Sequence, residues 1–498
     1  MRASVFNLKS FLVALLRHCV AGAVVTAAVL GVGVSHAQPL PSPLPAEVEA
    51  ALSRAKVPRD AMTFLVVDAE GRAPARLSYR ANVQVNPASV MKLVTTMAAL
   101  DTLGPTFVWT TPVYLEGLVR DGTLFGKLYI KGQGDPKLVM ERVWLLLRRV
   151  QGLGIKTIAG DIVLDRSAFE TAAPDPGDFD GERLRPYNAT PDALLLNYKS
   201  LVMTFVPERQ GTPVNGTSAA SSLARVNFEP PLAGVQMQAS VPLASGECGD
   251  YRSALKADLA DPNRIRFLGS YPASCGEKAW PVAYAEPATF AVRAIEGIWR
   301  EMGGQINGKV LEGKVPAGLT PLFEMTSPAL AEVVRDINKF SNNVMAQQLF
   351  LTLSLQARGV GTLAGSREWL QSWWKERLGG NDIPVLDNGS GLSRHERISA
   401  LALAQLLQLA WRSSLMPELV SSLPISGVDG TLRRVKSRAQ GNAHLKSGSL
   451  RDVTGVAGYV HAASGKRYVV VAIANHPNAN AARPAIDALV EWAMKDAP

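Results

Sequence analysis

Histidine and cysteine are scarce in this sequence of 498 residues, and those that occur are far apart. Of six histidines, none lies between His36 and His395, and the His-Glu-x-x-His pattern of zinc peptidases does not occur. Beyond residue 37 the only cysteines are Cys248 and Cys275. The sequence therefore predicts no metal site. For an exported chain it favours a disulfide between the two cysteines over two free buried thiols.

Acidic residues are absent from residues 1–37, which carry three cations and an uncharged stretch shorter than the roughly 20 apolar residues that span a bilayer. Ser35-His36-Ala37 places small residues where a signal peptidase cleaves. We predict a secretory signal at residues 1–37, cleaved near Ala37, followed by a proline-rich linker at residues 38–45. The chain is then expected to be exported.

Basic residues exceed acidic ones, giving a formal net charge of +9, of which the predicted signal carries three. The simplest interpretation is a soluble, mildly basic surface. A second interpretation is attraction to a carboxylate-rich polymer or peripheral association with an anionic membrane. Clustered Lys/Arg runs with interleaved aromatics are absent, so nucleic acid is not an expected partner.

Hydrophobic patterns divide the chain into a helix-rich part and a strand-rich part. Residues 46–108 and 286–498 combine helical patterns with a few strands, and we predict that they form one discontinuous α+β domain. Residues 109–285 alternate short apolar runs with turn residues, and we predict an inserted strand-rich region of two small domains.

The sequence also predicts the elements around its motifs. Met62 to Asp68 reads as a buried strand and Leu77 to Val85 as its hairpin partner, before a helix that begins near Pro87 with Asn86 as its cap. Three late strands are predicted at residues 443–448, 454–461 and 468–475, followed by a helix at residues 481–496.

A Ser-x-x-Lys pattern occurs at the start of the helix that follows Asn86, as Ser89-Val90-Met91-Lys92. Residues three apart share one helix face, so a buried Lys92 could act as the base for Ser89. The pattern alone is weak, since it also begins at three other serines: Ser53, Ser253 and Ser372. These three lie in polar or surface settings.

Histidine is the usual base for a serine nucleophile, so a triad is the alternative. The candidates beyond the signal are His395, His444, His461 and His476. The Gly-x-Ser-x-Gly elbow of many serine hydrolases does not occur, and an isolated histidine is more often structural.

Two further triplets follow the Ser-x-x-Lys pattern along the chain. Ser341-Asn342-Asn343 lies at a predicted helix junction, and Lys446-Ser447-Gly448 lies on the first late strand. The order Ser-x-x-Lys, Ser-x-Asn, Lys-Ser-Gly resembles the active-site motifs of the penicillin-recognising serine enzymes. The long gap between the first two motifs, and segments such as NPASVMKL and DNGSGLSR, resemble the class C low-molecular-mass penicillin-binding proteins. These are D-alanyl-D-alanine carboxypeptidase/endopeptidases.

The resemblance implies a penicillin-binding, β-lactamase-like main domain with an antiparallel sheet and helices. It also implies a periplasmic enzyme that acts on peptidoglycan stem peptides, is acylated by β-lactams and needs no cofactor. Residue by residue it implies catalytic roles for Ser89, Lys92, Ser341 and Lys446, and substrate-binding roles for Asn343, Ser447, Gly448, Ser449, Arg394 and Asp165. Arg451 is expected to line the cleft. The third motif usually carries threonine where this chain has Ser447.

Three other functions remain open at this point: a serine β-lactamase, a catalytically idle peptidoglycan-binding protein and a histidine-dependent esterase. Intact Ser89, Lys92 and Lys446 argue against the idle protein.

Overall fold

The structure is a computed structural model, and it describes residues 43–171, 174–208 and 222–496. The predicted signal peptide and most of the predicted linker lie outside the described residues. The helices are α1 (Ala46–Ala55), α2 (Lys92–Leu103), α3 (Met140–Gly152), α4 (Tyr251–Leu255), α5 (Phe290–Glu301), α6 (Leu330–Phe340), α7 (Asn343–Arg358), α8 (Leu363–Leu378), α9 (Ala400–Arg412), α10 (Met416–Ser422) and α11 (Arg483–Met494). The strands are β1 (Met62–Asp68), β2 (Leu77–Tyr79), β3 (Thr110–Arg120), β4 (Thr123–Lys131), β5 (Thr157–Ile158), β6 (Ile162–Asp165), β7 (Ser200–Pro207), β8 (Leu223–Glu229), β9 (Gln236–Met237), β10 (Ser240–Ala244), β11 (Ala257–Asp258), β12 (Arg264–Phe267), β13 (Tyr271–Pro272), β14 (Lys278–Ala283), β15 (Gln305–Ile306), β16 (Val310–Glu312), β17 (Phe323–Thr326), β18 (Ala443–Leu450), β19 (Val453–His461) and β20 (Arg467–Asn475).

A five-stranded antiparallel sheet in the order β18-β19-β20-β1-β2 brings early and late parts of the chain together. Side chains alternate between the two faces of a strand, and both faces of this sheet are covered. On β1, Phe64 packs in the core with α1 and α11, whereas Leu65 packs in the core with α2 and α6 to α9. The central strands β19, β20 and β1 are therefore mostly apolar along their length. This arrangement confirms the predicted α+β class.

Helix α2 is buried on all sides, from Lys92 to Leu100. A helix with no solvated face belongs to the centre of a domain, which explains its run of small and apolar residues. It packs against α6, α7 and α9, and the short turn Ala88–Met91 that precedes it contacts β18. The motif residues on these elements are thereby brought to one place.

A second hydrophobic core belongs to the strand-rich region. It packs α3 against a seven-stranded sheet built around β3 to β6, and it includes a five-stranded sheet in the order β13-β10-β8-β7-β14. Helix α5 and strands β15 to β17 also pack in this core, through residues such as Trp299 and Phe323. Residues 286–326, which the sequence analysis assigned to the main domain, therefore pack with the strand-rich region.

Most of the local predictions are confirmed. The three late strands and the final helix occur within a few residues of their predicted bounds, and Cys248 is bonded to Cys275. The hairpin partner of β1 is shorter than predicted, since β2 ends at Tyr79. Within the described residues, no helix has both the length and the apolar character needed to cross a bilayer.

Candidate active site

Ser89 lies on a short 3₁₀ turn, Ala88–Met91, that leads directly into α2. Asn86 fixes this turn, since its Oδ1 accepts a hydrogen bond from the N–H of Ala88 at 2.8 Å and its own N–H donates to Asn475 Oδ1 at 2.8 Å. Asn475 in turn donates from Nδ2 to the carbonyl of Asn86 at 2.9 Å. Ala88 is held at a φ of 47°, a conformation that costs energy for a residue with a Cβ. The surrounding structure thus fixes the backbone next to the hydroxyl of Ser89.

The side chain of Lys92 is completely buried, and its ammonium has three acceptors. Nζ lies 2.9 Å from Ser89 Oγ and 2.7 Å from Asn343 Oδ1, and it also donates to the carbonyl of Ser390. Burial lowers the pKa of Lys92 from 10.5 to about 7, while the nearby charge of Glu396 acts to raise it. A free amine is therefore accessible near neutral pH. In that form Nζ can accept the proton of Ser89.

A second lysine and serine lie on the other side of the cleft. Ser341 occupies the left-handed position, φ 56°, between α6 and α7, and its Oγ accepts a hydrogen bond from Lys446 Nζ at 2.8 Å. Lys446 also donates to the carbonyl of Ser447 at 2.7 Å. Burial, followed by the positive charge of Lys92, lowers the pKa of Lys446 well below its usual value. The charge of Lys92 therefore affects the protonation of Lys446.

Strand β18 passes directly beside the turn that carries Ser89. A Cβ on Gly448 would lie 2.5 Å from the carbonyl oxygen of Pro87 and 3.1 Å from the nitrogen of Val90, so only glycine fits without a shift. Ser447 and Ser449 flank this glycine. The sequence-predicted motif residues Ser89, Lys92, Ser341, Asn343, Lys446, Ser447, Gly448 and Ser449 are therefore brought together.

A cavity of about 520 Å³ opens next to Ser89. One wall comes from the main domain and includes Asn343, Leu392, Arg394, Ser449, Leu450 and Arg451. The other wall comes from the strand-rich region and consists of Phe179, Asp180 and Tyr187. These three residues were not predicted from the sequence, because no motif marks them and they are far from the other site residues in the chain.

The wall from the strand-rich region is tied to the motif residues. The carbonyl of Tyr187 accepts a hydrogen bond from Asn343 Nδ2 at 3.0 Å, and the hydroxyl of Tyr187 donates to Asp180 Oδ2 at 2.9 Å. Arg394 lies over the ring of Phe179 at 4.7 Å and forms an ion pair with Asp452 at 2.8 Å. Arg394 is thus placed in the cavity wall together with Arg451, and the substrate-binding role predicted for Arg394 stays a prediction.

Asp165 does not line this cavity. Its Oδ1 accepts the N–H of Ser167 at 2.9 Å and its Oδ2 accepts the N–H of Val315 at 2.9 Å. Both oxygens are engaged by backbone at the end of β6, and these hydrogen bonds help hold the pKa of Asp165 below its usual value although burial opposes them. In this structure Asp165 therefore holds the backbone at the end of β6, and its contact with substrate stays a prediction. Asp180 is the acid of the strand-rich region that lines the cavity.

Histidines do not supply a partner for Ser89 in the part of the chain that the structure describes. His444 stacks on His461, with ring centroids 5.4 Å apart, and His476 accepts the N–H of Asn478 through Nδ1. The titratable side chain that is hydrogen-bonded to Ser89 Oγ is that of Lys92. The geometry thus disfavours the histidine-dependent esterase.

Comparison with known families gives a match over almost the whole chain. The model of the D-Ala-D-Ala carboxypeptidase 3 (S13) family matches residues 44–496. This span contains all three motifs and the strand-rich region between the first two.

Two curated relatives are similar over most of their length. The D-alanyl-D-alanine carboxypeptidase of Actinomadura sp. (strain R39) is 29% identical over 83% of this chain and 78% of its own. The D-alanyl-D-alanine carboxypeptidase DacB of Haemophilus influenzae is 26% identical over 80% of this chain and 82% of its own.

Solved structures show the same fold. Penicillin binding protein 4 (dacB) from Haemophilus influenzae superposes with a TM-score of 0.70 and 22% identity, over 90% of this chain and 99% of that one. The predatory endopeptidase Bd3459 from Bdellovibrio bacteriovorus, in complex with an immunity protein, matches with a TM-score of 0.51 and 15% identity, over 87% and 92% of the two chains. These likenesses support the penicillin-binding fold predicted from the motifs.

Proposed function

The chain belongs to the D-Ala-D-Ala carboxypeptidase 3 (S13) family, and from that premise we propose that Ser89 is its acylated nucleophile and Lys92 the base that activates it. The chain is thus a serine-type D-Ala-D-Ala carboxypeptidase. The observation that carries the assignment of residues is the 2.9 Å hydrogen bond between a buried Lys92 amine and Ser89 Oγ.

Acylation begins when Ser89 Oγ attacks the carbonyl carbon of the penultimate D-alanine. Lys92, as the free amine, takes the hydroxyl proton while the new C–O bond forms. The negative charge on the carbonyl oxygen is stabilised by the backbone N–H groups of Ser89 and Ser449. Gly448 allows β18 to approach the Ser89 turn closely, which supports the proposal that both groups donate to the same oxygen.

The terminal D-alanine is held and released on the Lys446 side of the cleft. A cation and a hydroxyl, from Lys446 and Ser447, suit the terminal carboxylate of the substrate. The C–N bond breaks, and the departing amine receives through Ser341 the proton that Lys92 took from Ser89, which returns Lys92 to the free amine. The 2.8 Å hydrogen bond from Lys446 Nζ holds Ser341 Oγ in place for this transfer. Asn343 orients Lys92 through Oδ1.

Water completes the cycle by attacking the acyl-enzyme. Lys92, again a free amine, takes a proton from the water as the water oxygen attacks the acyl carbon. It then gives this proton to Ser89 Oγ as the ester bond breaks, and the shortened peptide leaves with a new carboxyl group. A β-lactam enters by the same attack on its ring carbonyl. The ring-opened product stays attached to Ser89, because its former leaving group remains tethered. Among the relatives, a β-lactam complex of the Haemophilus influenzae protein is known.

We propose that the enzyme also cleaves D-alanine cross-links. The bond in such a cross-link joins the same D-alanine carbonyl to an amine, so the acylation chemistry is unchanged. Arg394 and Asp180 lie in the cavity wall beside Ser89, where a cation and an acid could contact the free carboxylate and amine of a diaminopimelate side chain.

The strand-rich region is proposed to extend from residue 109 to residue 326, because α5 and β15 to β17 share its core. Its Tyr187 carbonyl contacts Asn343, so the insertion supplies part of the substrate site.

The proposed site of action is the periplasm, after removal of residues 1–37. Without the three cations of residues 1–37 the formal net charge falls from +9 to +6, and this remaining positive charge supports peripheral attraction to an anionic membrane surface. N-terminal sequencing of the exported protein, and its release from membranes by high salt, would test these two points.

The function is tested by peptide release. The mature enzyme is incubated with a stem pentapeptide and, separately, with a cross-linked muropeptide, and D-alanine and cleaved strands are quantified by liquid chromatography. Release from both supports the dual activity. Rapid turnover of nitrocefin without release of D-alanine would instead indicate a β-lactamase.

A further inference from the structure

Glu396 has a completely buried side chain close to the catalytic lysine, and the mechanism above does not use it. Its Oε1 accepts three backbone hydrogen bonds, from the N–H groups of Asp387 at 3.2 Å, Asn388 at 3.2 Å and Gly389 at 2.8 Å. Its Oε2 is buried and has no partner among the described residues. A buried carboxylate is costly unless it has a specific role or partner, which makes this residue unusual.

The backbone held by Glu396 leads directly to a partner of Lys92. The next residue, Ser390, accepts a hydrogen bond from Lys92 Nζ through its carbonyl. Thr95, on the same helix as Lys92, donates from Oγ1 to the carbonyl of Gly389 at 2.7 Å. Glu396 therefore anchors one side of a loop whose other side contacts the base.

The loop that contains Ser390 is tightly packed against its neighbours. Gly391 has a φ of +80°, and a Cβ on it would lie 2.0 Å from the carbonyl oxygen of Ala88 and 2.7 Å from the nitrogen of Ser89. The loop is thus packed against the turn that carries the nucleophile, and the position of the Ser390 carbonyl is set by the contacts on both sides.

Glu396 also interacts electrostatically with Lys92. The groups that face Lys92 are the neutral Ser89 and Asn343, the cation Lys446 on β18 and the acid Glu396. Burial lowers the pKa of Lys92 and Glu396 raises it. Burial also raises the pKa of Glu396 above its usual value, although the backbone N–H groups that donate to Oε1 act to lower it.

We propose that Glu396 is a positioning residue for Lys92, which holds the Ser390 carbonyl against Nζ and supplies the negative charge that stabilises the ammonium formed when Lys92 takes the proton of Ser89. This inference rests on the proposed role of Lys92 as the base. Without a countercharge, the new ammonium would form in a dry site beside the cation of Lys446, which would oppose acylation.

The test is the pH profile of penicillin acylation, measured by intact mass, in the mature enzyme and in Glu396→Gln. Glutamine keeps an oxygen for the three N–H groups but removes the charge. The ammonium form of Lys92 then becomes less favourable, so the acidic limb of the profile should shift to lower pH by on the order of one unit. The maximal acylation rate should fall about tenfold, because the base is weaker.

Glu491→Gln is the matched control, since Glu491 also accepts a backbone N–H, from Arg438 at 3.0 Å, but lies on α11. Glu491→Gln should leave both the acidic limb of the pH profile and the maximal acylation rate unchanged. An acidic limb in Glu396→Gln that coincides with the wild type would overturn the inference, as would an equal shift in the control. Glu396→Asp keeps the charge on a shorter chain, so it should slow acylation without moving the limb.

A measurement on the unaltered protein covers the case in which Glu396→Gln does not fold. The carboxyl carbon of Glu396 is followed by ¹³C NMR and assigned by its loss in Glu396→Asp. An ionised carboxylate at neutral pH supports the inference, and a protonated one contradicts it. If the wild type is not acylated at Ser89 at all, the proposed function fails together with this inference. An acylated wild type with an unmoved limb in Glu396→Gln rejects the inference alone.

Discussion

Lys92 Nζ lies 2.7 Å from Asn343 Oδ1, although the two residues are 251 positions apart in the chain. The contact joins the first motif on α2 to the second motif on α7, and it places a hydrogen-bond acceptor beside the amine that faces Ser89. The chain between these motifs contains the whole strand-rich region. The insertion is therefore accommodated without disturbing the packing of α2 on α7.

Acylation by penicillin should depend on pH through Lys92. Burial places the pKa of this amine at about 7, and only the free amine can accept the proton of Ser89. The acylation rate should therefore rise as the pH increases through 7 and level off above it. Lys92→Ala should lower the rate by about 10²- to 10⁴-fold. Stopped-flow or intact-mass measurements from pH 5.5 to 9 would check this, and a rate that is flat across neutral pH would contradict it.

Thr431 should affect binding of the terminal D-alanine. Its Oγ1 lies 2.7 Å from Ser447 Oγ, and its loop is held by the ion pair between Asp429 and Lys339 at 2.6 Å. Serine lacks the methyl group that restricts the χ1 angle of threonine, so this hydrogen bond selects one rotamer of Ser447.

Thr431→Val should therefore raise KM for a D-Ala-D-Ala peptide roughly 5- to 10-fold, with a smaller change in kcat. Adding Ser447→Thr to this variant should restore part of the loss, because threonine is stiffer. Steady-state kinetics on the single and double variants would decide the matter. An unchanged KM in Thr431→Val would show that the contact has no role in binding.

The motifs, and the helices and strands that carry them, could be predicted from the sequence. In each motif the reactive side chains are separated by a small, fixed number of residues, which is visible as a local pattern. The presence of Phe179, Asp180 and Tyr187 in the cavity wall could not be predicted from the sequence. Their place in the cavity depends on how the insertion packs, and no local pattern encodes that. The same limit applies to Asp165, because only the structure shows that the backbone N–H groups of Ser167 and Val315 donate to its two oxygens.

The boundary at residue 286 illustrates a related limit. Helix α5 has the amphipathic pattern of the main-domain helices, with Ile295 and Trp299 on one face, and periodicity does not say which core that face joins. In the structure it joins the core of the insertion.

The disulfide should stabilise the insertion without affecting catalysis. Cys248 and Cys275 are 27 residues apart and belong to the second core, away from α2 and β18. Cys248→Ser with Cys275→Ser should lower the free energy of unfolding by ~3 kcal/mol in the loop-entropy description. Urea denaturation of the oxidised protein, the double variant and the reduced wild type would measure the loss. Loss of acylation at unchanged stability would contradict this prediction.

Covalent labelling of Ser89 tests the central claim most directly. The protein lacking residues 1–37 is mixed with penicillin and weighed intact by mass spectrometry, alongside Ser89→Ala and, as a matched control, Ser53→Ala from another Ser-x-x-Lys pattern. A penicilloyl adduct on the wild type and on Ser53→Ala, but not on Ser89→Ala, is the predicted result. An adduct that persists in Ser89→Ala, or a wild type that forms none, would contradict the account.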